Sequence, residues 1–149
     1  MTHGAAELAT LCRLRARELD RARGTLAAAS AHHTACEAAV TRLEVTLRDQ
    51  HVALDAARAA RCRAPADEMI RLSLDRRESE LHETQALYGA AIQRRVDAAT
   101  ALREARAGML RAQAREEAVA GLHHRALRDE RRRRDRHAEN EREDHRRRA

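Results

Sequence analysis

Residues 5–64 read AAELATLCRLRARELDRARGTLAAASAHHTACEAAVTRLEVTLRDQHVALDAARAARCRA. Taken every seventh position from Ala5, this stretch gives Ala5, Cys12, Leu19, Leu26, His33, Val40, Leu47, Leu54 and Arg61. A second series three residues on gives Leu8, Arg15, Ala22, Ala29, Cys36, Leu43, Gln50, Ala57 and Ala64. Most of these rungs are apolar, and the positions between them are largely Arg, Glu, Asp and Ala. A 3-4 alternation sustained this long keeps one narrow apolar stripe on one side of a helix, the pattern of a coiled coil. Function in such a protein lies in length, surface and ends rather than in a pocket.

Composition points the same way. The chain has 149 residues, 43% hydrophobic and 36% charged, but 34 of the hydrophobic residues are Ala. Phe and Trp are absent, and Tyr88 is the single aromatic residue outside the histidines. A thick core needs large side chains, each worth roughly 1.5–3 kcal/mol when buried; these residues fill a thin seam instead. Five Gly and one Pro agree with near-continuous helix, since both residues disfavour helix interiors.

All 30 basic residues are Arg. Codon bias in a GC-rich genome explains this most simply; phosphate or carboxylate recognition by the guanidinium fork is the functional alternative. Without Lys, a Walker A loop is impossible, because its Lys must reach the phosphates. Cys12, Cys36 and Cys62 form no C-x-x-C pair. Along one helix Cys12 and Cys36 stand about 36 Å apart, beyond disulfide reach, so the thiols suggest a reducing compartment. The start of the chain has no apolar run of signal-peptide length, and no stretch has the 18 or so apolar residues of a membrane span. The expected location is the cytoplasm.

Pro65 divides the chain. The residue before a proline is pushed out of helical geometry, and Pro suits the first turn of a new helix, where Asp67 and Glu68 complement the positive helix end. Thr2 or His3 is positioned to cap the first helix. The spacing therefore predicts a helix over 5–62, a turn at about 62–66 and a helix over 67–127. In the second helix Leu74, Leu81, Tyr88, Arg95, Leu102, Met109, Glu116 and His123 recur every seven residues. Their companions are Arg77, Thr84, Ala91, Ala98, Ala105, Ala112, Val119 and Ala126.

If the two helices fold back antiparallel, facing residues have numbers with a constant sum. Sums of 128 and 135 score only somewhat worse than 131, which sets Leu43 against Tyr88, Ala29 against Leu102, Ala57 against Leu74, Val40 against Ala91, Leu19 against Ala112 and Leu8 against His123. Large residues then face small ones. Arg15 faces Glu116, either as a buried pair that fixes register or with both side chains reaching outward to water. The fold expected is all-α: a long antiparallel two-helix hairpin over residues 1–127 with a charged extension over 128–149. Its seam residues are Leu8, Leu19, Leu26, Val40, Leu43, Leu47, Leu54, Leu74, Leu81, Tyr88, Leu102 and Met109. Two helices that pair with other chains are the alternative.

The last 25 residues hold eleven Arg and seven acids, and no apolar stripe continues past Leu127. Asp129–Arg133, Glu130–Arg134, Glu143–Arg147 and Asp144–Arg148 are i,i+4 pairs with the acid first, each worth a few tenths of a kcal/mol. The segment is a solvated helical extension or disordered. Its Arg125, Arg128, Arg131, Arg132, Arg133, Arg134 and Arg136 are the candidate partner-binding residues.

Other sites have less behind them. His32 and Cys36 share a helix face as a possible metal pair, but no third ligand lies nearby in the pattern, so no metal or cofactor is expected. No Ser/His/Asp or Cys/His set converges on a two-helix hairpin, so no catalytic residue is assigned. Runs such as Arg131–Arg134 can neutralise phosphates. The seven acids cut the segment's net charge to +4, and without aromatic residues base stacking is lost as a binding mode. A nucleic-acid-binding or general coiled-coil adaptor is the alternative to the reading below.

The length, the central turn, the two long helices, the lack of an enzymatic motif and the charged C-terminal arm together resemble the stalk proteins of type III secretion systems, the YscO, FliJ and Hrp-type family. The resemblance is one of architecture over the whole chain; no residue matches a family motif. It implies a bacterial, non-enzymatic stalk, similar to the antiparallel coiled coil of a rotary ATPase γ subunit, linking the hexameric export ATPase to the export gate of the inner membrane. The implied location is cytoplasmic and peripheral to that apparatus, in a flagellar or virulence-type system. Secretion chaperones are further implied partners. Each arm of about 60 residues would reach roughly 90 Å. In this reading the paired ends, about 2–15 with 115–149, meet the ATPase and the turn faces the gate.

Overall fold

A computed structural model describes residues 4–148. They form two helices, α1 (Ala5–Arg63) and α2 (Glu68–Arg148), joined by a turn over 64–67. Among the described residues there is no strand. The candidate caps Thr2 and His3, and Ala149, lie outside the described residues. The chain is all-α, an antiparallel two-helix hairpin, as the heptads predict. Two units are distinguished: residues 27–104, which contain the turn, and a second made of 4–26 with 105–148.

The turn differs from the expectation by one or two residues. α1 runs on to Arg63, and the Ala64 amide still bonds the Ala60 carbonyl at 3.0 Å. Pro65 sits in the turn, within the predicted 62–66 span. Asp67 is the cap: its Oδ1 accepts from the Met69 and Ile70 amides at 2.9 and 3.3 Å. A short acidic side chain just outside a helix satisfies amides that have no carbonyl partner. Glu68 then bonds Arg71, which lowers the Glu68 carboxyl below its usual value, and Arg61 beside it adds a smaller pull. Arg61 also crosses the turn, donating to the Asp67 carbonyl at 3.3 Å.

In the unit that contains the turn, Cys36, Val40 and Leu54 of α1 are buried, with Leu81, Thr84, Ala91, Ala98 and Leu102 of α2. Val40 and Leu54 are only 2% exposed. Buried Val40 and buried Ala91 are partners under the sum of 131. So are Leu43 and Tyr88, and the Tyr88 hydroxyl donates to Glu44, the next residue on α1, at 3.1 Å. Thr84 is the one buried polar residue, and its hydroxyl is satisfied by the Glu80 carbonyl at 2.9 Å. Gln50 also points into the seam, and its Oε1 is buried without a hydrogen-bond partner.

In the second unit Ala5, Leu8 and Leu19 are buried with Ala112 and Val119; Leu19 and Ala112 are again predicted partners. Leu26 and Met109 are half-buried, as are Leu43, Leu47, Leu74 and Tyr88 in the first unit. Every seam residue named from the heptads is therefore buried or half-buried. Of the two readings of Arg15, the pair with Glu116 is not the one seen: its guanidinium pairs with Glu18 on its own helix at 2.6 Å, and its Nε is left buried without a partner. An acid one turn away satisfies the guanidinium without desolvating a second charge on α2.

Candidate interaction surface: the charged end of α2

The residues after Leu127 remain in α2, which is unbroken to Arg148. The helical form of the extension is thus the observed one. Glu130 marks where packing stops. It is half-buried, and its Oε1 accepts from the Ala5 amide at 3.4 Å. A carboxylate at the first amides of α1 complements the positive helix end. The Gly4 carbonyl takes the Glu7 and Leu8 amides at 3.1 and 3.2 Å. Gly4, Leu122, Arg125, Ala126, Asp129, Glu130 and Arg133 line a shallow depression around this junction. Nothing in the heptads announces the Glu130 contact, because it depends on where α1 begins rather than on seam spacing.

From Arg131 to Arg148 every residue is exposed. The segment holds nine Arg and five acids, on a helix of about 27 Å at 1.5 Å per residue. No buried side chain holds it helical. Local pairs do: His137 with Glu141 at 3.3 Å and Arg147 with Glu143 at 4.0 Å. The second is one of the predicted pairs. Glu130 turns to Ala5 instead of Arg134.

Of the seven candidate arginines, two are partly engaged with their own helix. Arg125 Nε donates to the Gly121 carbonyl at 3.3 Å, and Arg136 Nε to the Arg132 carbonyl at 3.2 Å. Arg131, Arg132, Arg133 and Arg134 follow one another around the helix, so they present charge on all sides rather than on one face. Arg128 is exposed. The arrangement suits charge-assisted contact with carboxylates or phosphates.

The remaining sequence candidates do not assemble into a site. Cys36 Sγ lies 3.8 Å from His32 Nε2, yet among the described residues no three His, Cys, Asp or Glu side chains converge. The His123 and His124 rings are 6.3 Å apart and tilted. Cys12, Cys36 and Cys62 are free. No helix among the described residues is long and apolar enough to cross a membrane. No family model, curated protein or solved structure matches this chain.

Proposed function

We propose that this chain is a non-enzymatic stalk of a type III protein secretion system, coupling a hexameric export ATPase to a membrane export gate. The observation that carries this reading is the pairing of a two-helix hairpin with an 18-residue helical end, Arg131–Arg148, that is exposed throughout. A seam-poor helix that contributes little to its own fold keeps its arginines available for another protein. The hairpin supplies a stiff support, and the Arg-rich end supplies charge-assisted hydrogen bonds to acidic groups around a pore. The architectural resemblance supplies the identity of the machine.

The test uses purified export ATPase and two forms of the chain, full-length and cut before Arg131. The cut leaves Glu130 on Ala5, so the hairpin keeps its last contact. Full-length protein should retain the ATPase and stimulate its hydrolysis. Retention should weaken with salt, because exposed charges are screened within about 8 Å at physiological ionic strength. The truncated form should lose most of both. No retention by either form would sink the stalk assignment. Salt-sensitive retention of DNA or RNA in its place would favour the nucleic-acid reading, for which the exposed run Arg131–Arg134 is the feature in favour.

A further inference from the structure

The two sides of the seam differ within the unit that contains the turn. One side is bridged by polar contacts between the helices, Arg58 to Glu78 at 3.4 Å and Tyr88 to Glu44 at 3.1 Å. The other is an open, mainly apolar groove. Its α1 wall is Ala53, Ala56, Ala57 and Ala60, and its α2 wall is Met69, Ile70 and Ser73 with Arg77 at one end. The alanines fall at i, i+3, i+4 and i+7, so they form one continuous helix face. Side chains this small let a neighbouring helix approach closely, near the 8 Å end of the usual interaxial range of about 8–10 Å.

The two most exposed large apolar side chains among the described residues stand in this region, one lining the groove and one on α1 beside it. Met69 is 73% exposed, and Val52, one turn before Ala56 on α1, is 67% exposed.

Charge selects the occupant. Asp49, Ala56 and Arg63 are seven residues apart and lie on one line along α1. Among the described residues neither Asp49 nor Arg63 has an ion pair with its own chain. Two copies of α1 laid antiparallel, with a two-fold axis at Ala56, set each Asp49 against the partner's Arg63. The same alignment sets Val52 against the partner's Ala60. A parallel, in-register alignment would instead set Asp49 on Asp49 and Arg63 on Arg63. The pattern is self-complementary in the sense a two-fold interface requires.

We propose that a second copy of this chain docks in this groove, α1 against α1, giving a two-fold dimer centred on Ala56. Burial of Val52 and Met69 over the alanine face drives it, and the two Asp49–Arg63 pairs fix its direction. The inference stands apart from the stalk proposal, since it uses no residue of the charged end.

The test is sedimentation equilibrium of the full chain over a range of concentrations. Reductant is present throughout, because Cys62 is exposed and free. The expected result is a reversible monomer–dimer equilibrium. Ala56→Arg places two like charges on the axis and should weaken dimerisation by about tenfold or more; Ala56 is exposed, so the seam is untouched. Asp49→Arg and Arg63→Asp should each weaken it, and the two together should restore it. Circular dichroism checks that each variant keeps its helix content. A chain that stays monomeric at the highest concentration overturns the proposal. So does a dimer indifferent to Ala56→Arg, or single charge reversals that the double variant fails to rescue.

Discussion

Two parts of the same helix are held in different ways. Between Leu81 and Leu102, α2 presents five buried residues to α1. Between Arg131 and Arg148 it presents none, and only pairs within the helix sustain it. Both are α-helix, but the first is specified by tertiary burial and the second by local propensity and charge. Helices in water draw most of their stability from packing an apolar face. The first part should therefore answer sharply to substitution and the second hardly at all.

The contrast is broken most directly at Leu54, which is almost wholly buried. Leu54→Ala should cost about 2–4 kcal/mol in urea unfolding. Removing residues 131–149 should change stability by less than about 0.5 kcal/mol. Comparable losses from the two changes would mean that the charged end packs on something. Next comes Gln50, whose buried Oε1 lacks a partner. Leaving such a group unsatisfied costs about 1–3 kcal/mol, so Gln50→Leu should raise the urea midpoint; a fall would show that water or a rotated amide satisfies it. Asp67→Ala removes the α2 cap and should cost about 1 kcal/mol, while the same substitution at exposed Asp144 should be nearly silent.

The smallest effect is pH dependence. The Arg71 hydrogen bond keeps Glu68 ionised below its ordinary range, so its contribution is present above the unfolded carboxylate value and lost as pH falls through the lowered one. Tyr88 runs the other way. Its hydrogen bond to Glu44 raises the phenol, so that contribution is present below the unfolded value and lost as pH rises through the raised one. Thermal melts of Glu68→Gln and Tyr88→Phe should flatten the acid and alkaline limbs respectively. Both contacts are exposed to solvent, so each change should be slight.

The fold was legible because a seam repeats. Leu8, Leu19, Val40, Leu54, Leu81 and Leu102 recur at the spacing that burial requires, and each is buried. The turn was legible to within two residues from Pro65. Asp67 was misassigned to the first helical turn, although Asp ahead of the apolar Met69–Ile70 pair is a capping pattern. Arg15 was not legible: the seam spacing left it either against Glu116 or reaching out to water, whereas the acid that takes its guanidinium, Glu18, lies one turn along the same helix and off the seam. The charged end was legible as solvent-exposed, because no apolar stripe continues past Leu127. Its helical state was not, since i,i+4 pairs of a few tenths of a kcal/mol leave helix and coil close in energy. What binds it is not written in periodicity at all, because exposed arginines carry no record of the acids they meet.

The four-residue turn sets an order for folding. Contacts beside it close short loops, 20 residues for Arg58 to Glu78 and 44 for Glu44 to Tyr88, whereas Glu130 reaches Ala5 across 125. Closing the longest of these first would cost about 1.6 kcal/mol more entropy than closing the shortest. Loop-closure entropy therefore favours pairing that runs from the turn toward the termini, each closed layer shortening the loop the next must close. Opening reverses that order. Within the packed residues 5–130 the Ala5–Glu130 junction frays first, so amide exchange in that span should be fastest there and slowest around Val40 and Leu54.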